Sequence, residues 1–393
     1  MRIARKRPDR IVPEYSLTGD LLSFRRCARQ YRYQNGSALP PSRPVQLWYG
    51  EFIHGLLENV YRLCKSEGGL PFPLPYTRLN LSDRIEKPPE GLAAFDLRNL
   101  GWPVEESLLN QNKRARSRKA RLAAYRRAEA AVNMLGPHLF PLIAEAEERV
   151  IGTRDIPGAI ANAHRAEKYA LTGVIDVLTE LELGTAPTDN LIRQAVQARC
   201  PNLAGEFEVI VDYKGTRRPD NDTREWRDGE WQVQTYAWLR HEQRRSRRVA
   251  AGILIYVNEL APGEGDVLAL KAALGKDRTD VGPVFDSDRR MLENWRPGAR
   301  ADFSPSFLLS RAVRVVPVDD MSIEEATGAF DDTVARIEDC VRREDEAVSI
   351  LQTWVDDCRD GKTCAACDFR YFCEGYQRNG NVIGEEDRLE DEI

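Results

Sequence analysis

Residues 207–215 read FEVIVDYKG, an apolar run that ends with a carboxylate, an aromatic ring and a lysine. Successive side chains of a strand point to opposite faces, so Asp212 and Lys214 share one face and Tyr213 lies on the other. A charged pair on an apolar strand is costly unless it is exposed, paired or used on a metal. This pair is therefore the first candidate for chemistry in the chain.

A second aspartate, Asp176, lies in the apolar segment LTGVIDVL, which predicts a strand that pairs with the Asp212 strand. Two aspartates that face the same way on adjacent strands can hold one or two Mg²⁺ ions, because Mg²⁺ prefers oxygen ligands. Lys214 could then reach a scissile phosphate or the attacking water, an arrangement that suits phosphodiester hydrolysis. The alternative is an exposed ion pair at a strand end, because D-x-K alone is a common tripeptide.

The order of these motifs resembles that of the PD-(D/E)XK nuclease superfamily. GVID (173–176) is followed by IVDYK (210–214) and by a predicted helix with QVQTY (232–236). The likeness is closest to the RecB-like branch, which includes the nuclease domains of RecB and AddB helicase-nucleases and the CRISPR adaptation nucleases. The resemblance implies a shared catalytic role for five residues. They are Asp176, Asp212, Lys214, Gln232 and Tyr236.

The same resemblance implies a metal-ligating histidine on an N-terminal helix, and His54 in GEFIHGLLENVY lies at the matching place. The implied ligands of Mg²⁺ or Mn²⁺ are His54, Asp176, Asp212 and the backbone carbonyl of Tyr213. Glu58 follows His54 by one helical turn, so it is expected either to face the same site as a supporting partner or to hold the other ring nitrogen of His54. A histidine on an amphipathic helix also has an ordinary structural interpretation.

One departure from the family pattern is an insertion at 184–205, which lengthens the connection between the two aspartates. Asp176 can be the partner of Asp212 only if this insertion loops out and the two strands still pair. If Asp176 is not the partner, Glu206 and Glu208 are the fallback carboxylates for the metal site. Glu208 is an even number of residues from Asp212 and therefore lies on the same face of the strand.

Three of the eight cysteines, Cys364, Cys367 and Cys373, follow the spacing C-x2-C-x5-C. The resemblance adds Cys27 in FRRCARQYRY as a fourth ligand and implies a [4Fe–4S] cluster. Structural Zn²⁺ on the same four thiolates is the alternative, because Cys₄ is also a zinc geometry. The cluster is expected to staple the two ends of the chain in place of hydrophobic packing. The other cysteines are interpreted as a spare near the cluster (Cys358) and as small buried residues (Cys64, Cys200, Cys340).

The strands and helices that must position these residues follow a pattern typical of an α/β fold. This pattern predicts a central mixed β-sheet flanked by helices, as in a restriction-endonuclease-like core. Strands are predicted at 147–152, 168–183, 207–215 and 250–258, and helices at 15–33, 48–65, about 111–149, from near 189, 229–243 and 322–344. The segment 66–105 and most of 260–322 are interpreted as irregular. The expected regions are an N-terminal arm with helices (1–60), a mainly helical insertion (61–145), the nuclease core (146–300) and a helical, cysteine-bearing C-terminal segment (301–393).

Composition favours a globular protein, since 42% of the 393 residues are hydrophobic and 30% are charged. No apolar stretch approaches the length of about 18 residues that a membrane span needs, and the N-terminus lacks a signal-peptide apolar region. We therefore expect a cytoplasmic protein with reduced thiols and no membrane contact. The net charge is −5, but basic runs at 2–10, 113–127 and 240–248 predict a polyanionic partner. A proline-rich link occupies 38–44 and an acidic tail 384–393.

The function implied by the resemblance is a metal-dependent DNA nuclease that acts on single strands or on DNA ends. The chain has no GxxxxGK[ST] motif and hence no helicase motor of its own. A helicase partner in repair, anti-phage defence or CRISPR adaptation is therefore expected. The alternatives are a non-catalytic DNA-binding or scaffold subunit that retains the fold, and a nuclease directed at RNA.

Overall fold

The computed structural model describes residues 12–36, 45–82, 84–157, 166–182, 186–347, 349–356, 358, 363–364 and 367–379. The basic run at 2–10, the proline-rich link at 38–44 and the acidic tail at 384–393 lie outside these residues.

A mixed β-sheet forms the centre of the described chain. Its strands are β1 (Glu14–Ser16), β2 (Ile143–Asp155), β3 (Lys168–Glu182), β4 (Glu206–Lys214), β5 (Val249–Tyr256) and β6 (Val313–Pro317). The strand order is β1-β3-β4-β5-β6, and β2 also pairs with β3. The pairs β1–β3 and β4–β5 are parallel, and the other pairs are antiparallel. Helices pack on both faces, so the predicted fold class is confirmed.

The helices alternate with these strands along the chain. They are α1 (Ser23–Arg26), α2 (Ala28–Gly36), α3 (Val45–Glu67), α4 (Leu97–Asn110), α5 (Arg118–Leu139), α6 (Leu191–Arg199), α7 (Arg224–His241), α8 (Val257–Leu260), α9 (Glu264–Gly275), α10 (Asp286–Asn294), α11 (Pro305–Ala312), α12 (Asp320–Ala347), α13 (Ile350–Thr353) and α14 (Glu374–Asn379). A π-helical segment, Leu17–Leu22, precedes α1. No described helix is both long enough and apolar enough to cross a membrane.

Two hydrophobic cores lie on opposite faces of the sheet, and strand β4 contributes to both. Val209, Val211 and Tyr213 belong to the core shared with α3 and α5. Ile210 belongs to the other core, which includes α7 and α12. The period of two therefore directs Asp212 and Lys214 toward α7 and leaves Tyr213 on the α3 side.

The predicted pairing of the two aspartate strands is confirmed. Val177 of β3 lies opposite Val211 of β4, the last pair of this ladder before Asp176 and Asp212. Within the inserted segment, α6 begins after Asn190, whose side chain accepts hydrogen bonds from the backbone N–H groups of Ile192 and Arg193. The insertion therefore does not disturb the strand pairing.

The expectation of an irregular segment over most of 260–322 is wrong, because α9, α10, α11 and β6 lie there. The three helices surround a small core that includes Trp295 and Phe303. The predicted helix at 111–149 is shorter than expected. It begins after Ser117, whose side chain caps the Ala120 N–H, and ends at Leu139.

Candidate active site

The charged pair at the end of β4 and Gln232 of helix α7 form a closed triangle of one ion pair and two hydrogen bonds. Lys214 Nζ lies 2.7 Å from Asp212 Oδ2 and donates a hydrogen bond to Gln232 Oε1 at 2.6 Å. Gln232 Nε2 in turn donates to Asp212 Oδ1 at 2.9 Å. Asp212 is only 4% exposed, so these contacts offset the cost of its burial.

The environment keeps Lys214 positively charged. Burial by itself lowers the pKa of the ammonium group, but the charge of Asp212 and its hydrogen bond outweigh burial and raise the pKa. Lys214 is therefore suited to stabilise negative charge, and a role as a general base is disfavoured.

Tyr236 lies beside this triangle, with its hydroxyl 3.5 Å from Gln232 Nε2. Burial and then the charge of Asp212 raise the pKa of the Tyr236 hydroxyl, which keeps it neutral. The ring packs over β3 at Gly173, where an added Cβ would lie 2.5 Å from Tyr236 Cε1. The glycine of the GVID motif is thus explained by the close approach of α7 to the sheet.

A second group of ligand atoms converges on the α3 side of the same strands. His54 Nε2 lies 3.0 Å from the carbonyl oxygen of Tyr213, and His54 Nδ1 lies 3.4 Å from Asp176 Oδ2. The backbone N–H of Tyr213 donates to Asp176 Oδ2 at 2.9 Å. Neighbouring ligands about 2.1 Å from an octahedral cation are about 3 Å apart, so the imidazole and the carbonyl fit such an ion.

Glu147 of β2 joins this group, although no motif in the sequence pointed to it. Ligand atoms of His54, Glu147 and Asp176 all lie within 4.8 Å of one another. Glu147 has a left-handed backbone with φ 55°, and it lies between the ladder pairs Ala146–Val177 and Glu148–Ile175. It therefore faces Asp176 across the β2–β3 pair. Only the register of these two strands could have identified it.

The pKa values of the two carboxyl groups favour a cation at this place. Burial and the charge of Asp212 raise the pKa of Asp176 to about 7, although His54 opposes the rise. Burial and the charge of Glu58 also raise the pKa of Glu147. A divalent cation would relieve this repulsion, and one imidazole, two carboxylates and a carbonyl oxygen form a donor set suited to Mn²⁺ or Mg²⁺.

Comparison with known proteins adds an independent finding. Residues 19–186 match the family model of the PD-(D/E)XK nuclease superfamily. The matched segment includes His54, Glu147 and Asp176 and ends before Asp212. No curated protein matches the chain. A solved structure titled "Crystal structure of SSO0001" aligns with 83% of this chain and 96% of that chain at 12% identity, with a TM-score of 0.25, which supports no structural argument.

The fallback carboxylates, Glu206 and Glu208, have other partners in the structure. Glu208 is 1% exposed and accepts two hydrogen bonds from Arg240, each 2.8 Å long. Glu206 pairs with Arg247 at 2.5 Å. Glu58 does not hold a His54 nitrogen, because its carboxylate pairs with Arg62 at 2.5 Å and the His54 nitrogens face Tyr213 and Asp176. It does face the same site, since it lines one cavity with His54 and Asp176.

A separate cavity brings together cysteines from the N-terminal and C-terminal parts of the described chain. Its lining includes Cys27, Cys358, Cys364, Cys367 and Cys373. Cys27 lies between α1 and α2 and is 7% exposed. Burial, followed by the contact with Cys358, raises the pKa of Cys364 to about 12, so this thiol stays protonated unless a metal binds it. Four of these five thiols would be enough for either an iron–sulfur cluster or zinc.

The two ends of the chain are also held by contacts that need no metal. Arg32 forms two hydrogen bonds of 2.6 Å with Glu344, which also accepts one of 2.6 Å from the Trp354 indole. The Trp354 ring packs against Phe24 and Tyr31, with centroid distances of 6.2 and 6.1 Å. The expectation that a cluster replaces hydrophobic packing between the ends is therefore wrong.

Proposed function

We propose that this chain is a Mg²⁺- or Mn²⁺-dependent DNA nuclease. The main support is that His54, Asp176 and the Tyr213 carbonyl lie close together. They lie beside the triangle formed by Asp212, Lys214 and Gln232. The family match supports nuclease activity in general. The preference for DNA, and for single strands or ends, rests on the resemblance to the RecB-like branch.

The proposed division of labour is between the residues that would hold the cation and those that hold Lys214. His54, Asp176, the Tyr213 carbonyl and Asp212 would hold the cation, with Glu147 as a further carboxylate. When bound, the cation polarises the phosphoryl oxygen and supplies an activated water. Lys214 presents a fixed positive charge to the phosphate, since Asp212 and Gln232 restrain its ammonium group. Tyr236 and Gln232 keep that group in place.

Exposed basic residues support a polyanionic substrate. Four of them precede or begin helix α5, and four others follow helix α7. They are Arg114, Arg116, Arg118 and Lys119, and Arg244, Arg245, Arg247 and Arg248. Such clusters attract the nucleic-acid backbone irrespective of sequence. A helicase or defence-complex partner would supply the opened strand, because the chain has no motor motif.

The activity is tested with end-labelled single-stranded DNA, double-stranded DNA and RNA of one sequence. We expect Mn²⁺ or Mg²⁺ to support DNA cleavage, EDTA to stop it, and Asp176→Asn to abolish it. Asp155→Asn is the matched control. Asp155 ends the neighbouring strand β2, and its side chain is 83% exposed, so the same substitution there should not affect the site. Cleavage of RNA alone would contradict the DNA assignment, and binding without cleavage would favour the scaffold alternative.

We also propose that Cys27, Cys364, Cys367 and Cys373 hold a [4Fe–4S] cluster, with Zn²⁺ as the alternative. Protein purified without oxygen is expected to be brown, with broad visible absorbance and about four iron atoms and four sulfide ions per chain. Cys27→Ser is expected to lose iron but to remain folded, because Arg32, Glu344 and Trp354 still join the ends. A colourless preparation loaded with zinc would reject the cluster.

A further inference from the structure

Two arginines from different helices share one aspartate beside the triangle that holds Lys214. A guanidinium nitrogen of Arg25 on α1 lies 3.2 Å from Asp228 Oδ1, and Arg224 Nε at the start of α7 lies 3.5 Å from Asp228 Oδ2. The Arg25 and Arg224 side chains are 27% and 40% exposed, and that of Asp228 is 22% exposed. The three side chains therefore form a charged group that solvent can reach.

Helix α7 places this group next to the residue that restrains Lys214. Asp228 precedes Gln232 by four residues, so the two side chains share one face of the helix and are separated by about 6 Å along its axis. Gln232 accepts the hydrogen bond from Lys214. The shared aspartate thus lies one helical turn from the residue that holds the lysine proposed to meet the scissile phosphate.

The route of the chain after β1 leads to the same place from the other side. Strand β1 pairs with β3 up to Thr172, whereas β4 pairs with β3 from Val177 onward, and β2 occupies the opposite edge of β3 along this length. Residues 173–176 therefore lie between the ends of β1 and β4. The chain that leaves β1 continues through the π-helical segment into α1, which carries Arg25. The end of β1 that leads to Arg25 and the end of β4 that carries Lys214 border the same stretch of β3.

The charges in this group favour a bound anion. Two guanidinium groups carry two positive charges, and one carboxylate neutralises only one of them. Each guanidinium group has five N–H donors, so the two oxygens of Asp228 cannot engage all the donors of both arginines. Arg25 is also held in place, because its guanidinium carbon lies 4.2 Å from the centre of the Trp231 ring. Restrained guanidinium groups with surplus charge and free donors are suited to bind a phosphate group.

We propose that Arg25 and Arg224, held in position by Asp228, form a phosphate-binding subsite for the phosphodiester next to the scissile one on the same DNA strand. The inference rests on the proposed nuclease function, which supplies the strand, but neither arginine takes part in hydrolysis. A subsite of this kind binds the substrate and the transition state equally. Its loss should therefore raise KM and leave kcat unchanged.

The test measures binding of a fluorescently labelled single-stranded DNA in EDTA, by fluorescence anisotropy at several salt concentrations. One phosphate contact contributes about 0.7 to the slope of log affinity against log salt concentration, which corresponds to roughly fivefold in affinity at about 0.1 M salt. We expect Arg25→Ala and Arg224→Ala each to show losses of this size. Arg224 is the more exposed of the two, so its variant decides the comparison should Arg25→Ala fail to fold.

Arg154→Ala is the matched control for these variants. Arg154 also pairs with an aspartate and lies over a tryptophan ring, at 2.6 Å from Asp331 Oδ2 and 5.7 Å from the centre of the Trp238 ring. It follows Glu147 by seven residues on β2, which places it about 23 Å further along the strand. This variant should therefore bind DNA as wild type does.

Asp228→Asn distinguishes a phosphate subsite from a purely structural ion pair. The variant keeps both arginines and removes a negative charge beside the phosphate, so DNA binding should be at least as tight as in wild type. A structural ion pair would be disrupted equally by Arg25→Ala and Asp228→Asn, so equal losses of affinity in these two variants would overturn the proposal. Wild-type affinity and salt dependence in either folded arginine variant would overturn it as well. Wild type that binds DNA but does not cleave it with Mn²⁺ would contradict the proposed function and not the subsite, because this test needs no cleavage.

Discussion

Replacement of Lys214 by alanine is expected to lower metal-dependent cleavage by about 10²–10³-fold, the usual cost of removing one preorganised group that stabilises transition-state charge. Lys214 Nζ lies 2.7 Å from Asp212 Oδ2 and 2.6 Å from Gln232 Oε1, so its position is fixed before the substrate arrives. If the lysine were mobile, ordering its side chain would cost conformational entropy in the transition state and raise the barrier. The loss should therefore appear mainly in kcat.

The control for this variant is Lys168→Ala. Lys168 also belongs to a strand and pairs with an aspartate, Asp155 at 3.6 Å, but both side chains are largely exposed. Exposed ion pairs contribute little, so its removal should leave cleavage unchanged. Binding of Mn²⁺, followed by electron paramagnetic resonance of the free ion, separates the two possible causes of lost activity. Wild-type cleavage by Lys214→Ala would remove Lys214 from the site, and loss of Mn²⁺ binding would assign it to metal retention.

The parts of this site that follow a local period could be predicted from the sequence. Alternation along one strand was sufficient to place Asp212 and Lys214 on one face, and their contact at 2.7 Å confirms it. The apolar segments around Asp176 and Asp212 were sufficient to predict a paired sheet, and their register confirms it. A mixed sheet flanked by helices follows from the same pattern of strands and helices.

The parts that depend on contacts between distant segments could not be predicted. Glu208 was selected as a fallback ligand because it lies on the same face of β4 as Asp212. The alternation of side chains along a strand cannot show that the Glu208 carboxylate already pairs with Arg240 near the end of α7. Glu147 required the register of β2 against β3 and a left-handed backbone that interrupts a strand. Each of these residues is defined by its partner and not by its neighbours in sequence.

Replacement of Glu147 by glutamine is expected to weaken Mn²⁺ binding at least tenfold, the lower end of the roughly 10–100-fold cost of losing a supporting group at a metal site. Its carboxylate lies within 4.8 Å of ligand atoms of His54 and Asp176, so it either contacts the cation or balances its charge. A neutral amide of the same shape removes the charge alone. Without metal, the variant should be slightly more stable, because repulsion with Glu58 and burial already raise the pKa of Glu147.

Glu145→Gln is the matched control for Glu147→Gln, since it removes the same charge from an exposed position two residues earlier on β2. Calorimetric titration with Mn²⁺ should give wild-type affinity for Glu145→Gln and reduced affinity for Glu147→Gln. Adding Mn²⁺ should raise the melting temperature of Glu145→Gln as much as that of wild type, and should raise that of Glu147→Gln less. A ligand that binds the folded state more weakly stabilises it less at the same concentration. Equal affinities and equal thermal shifts in the two variants would show that Glu147 lies beside the cation site without contributing to it.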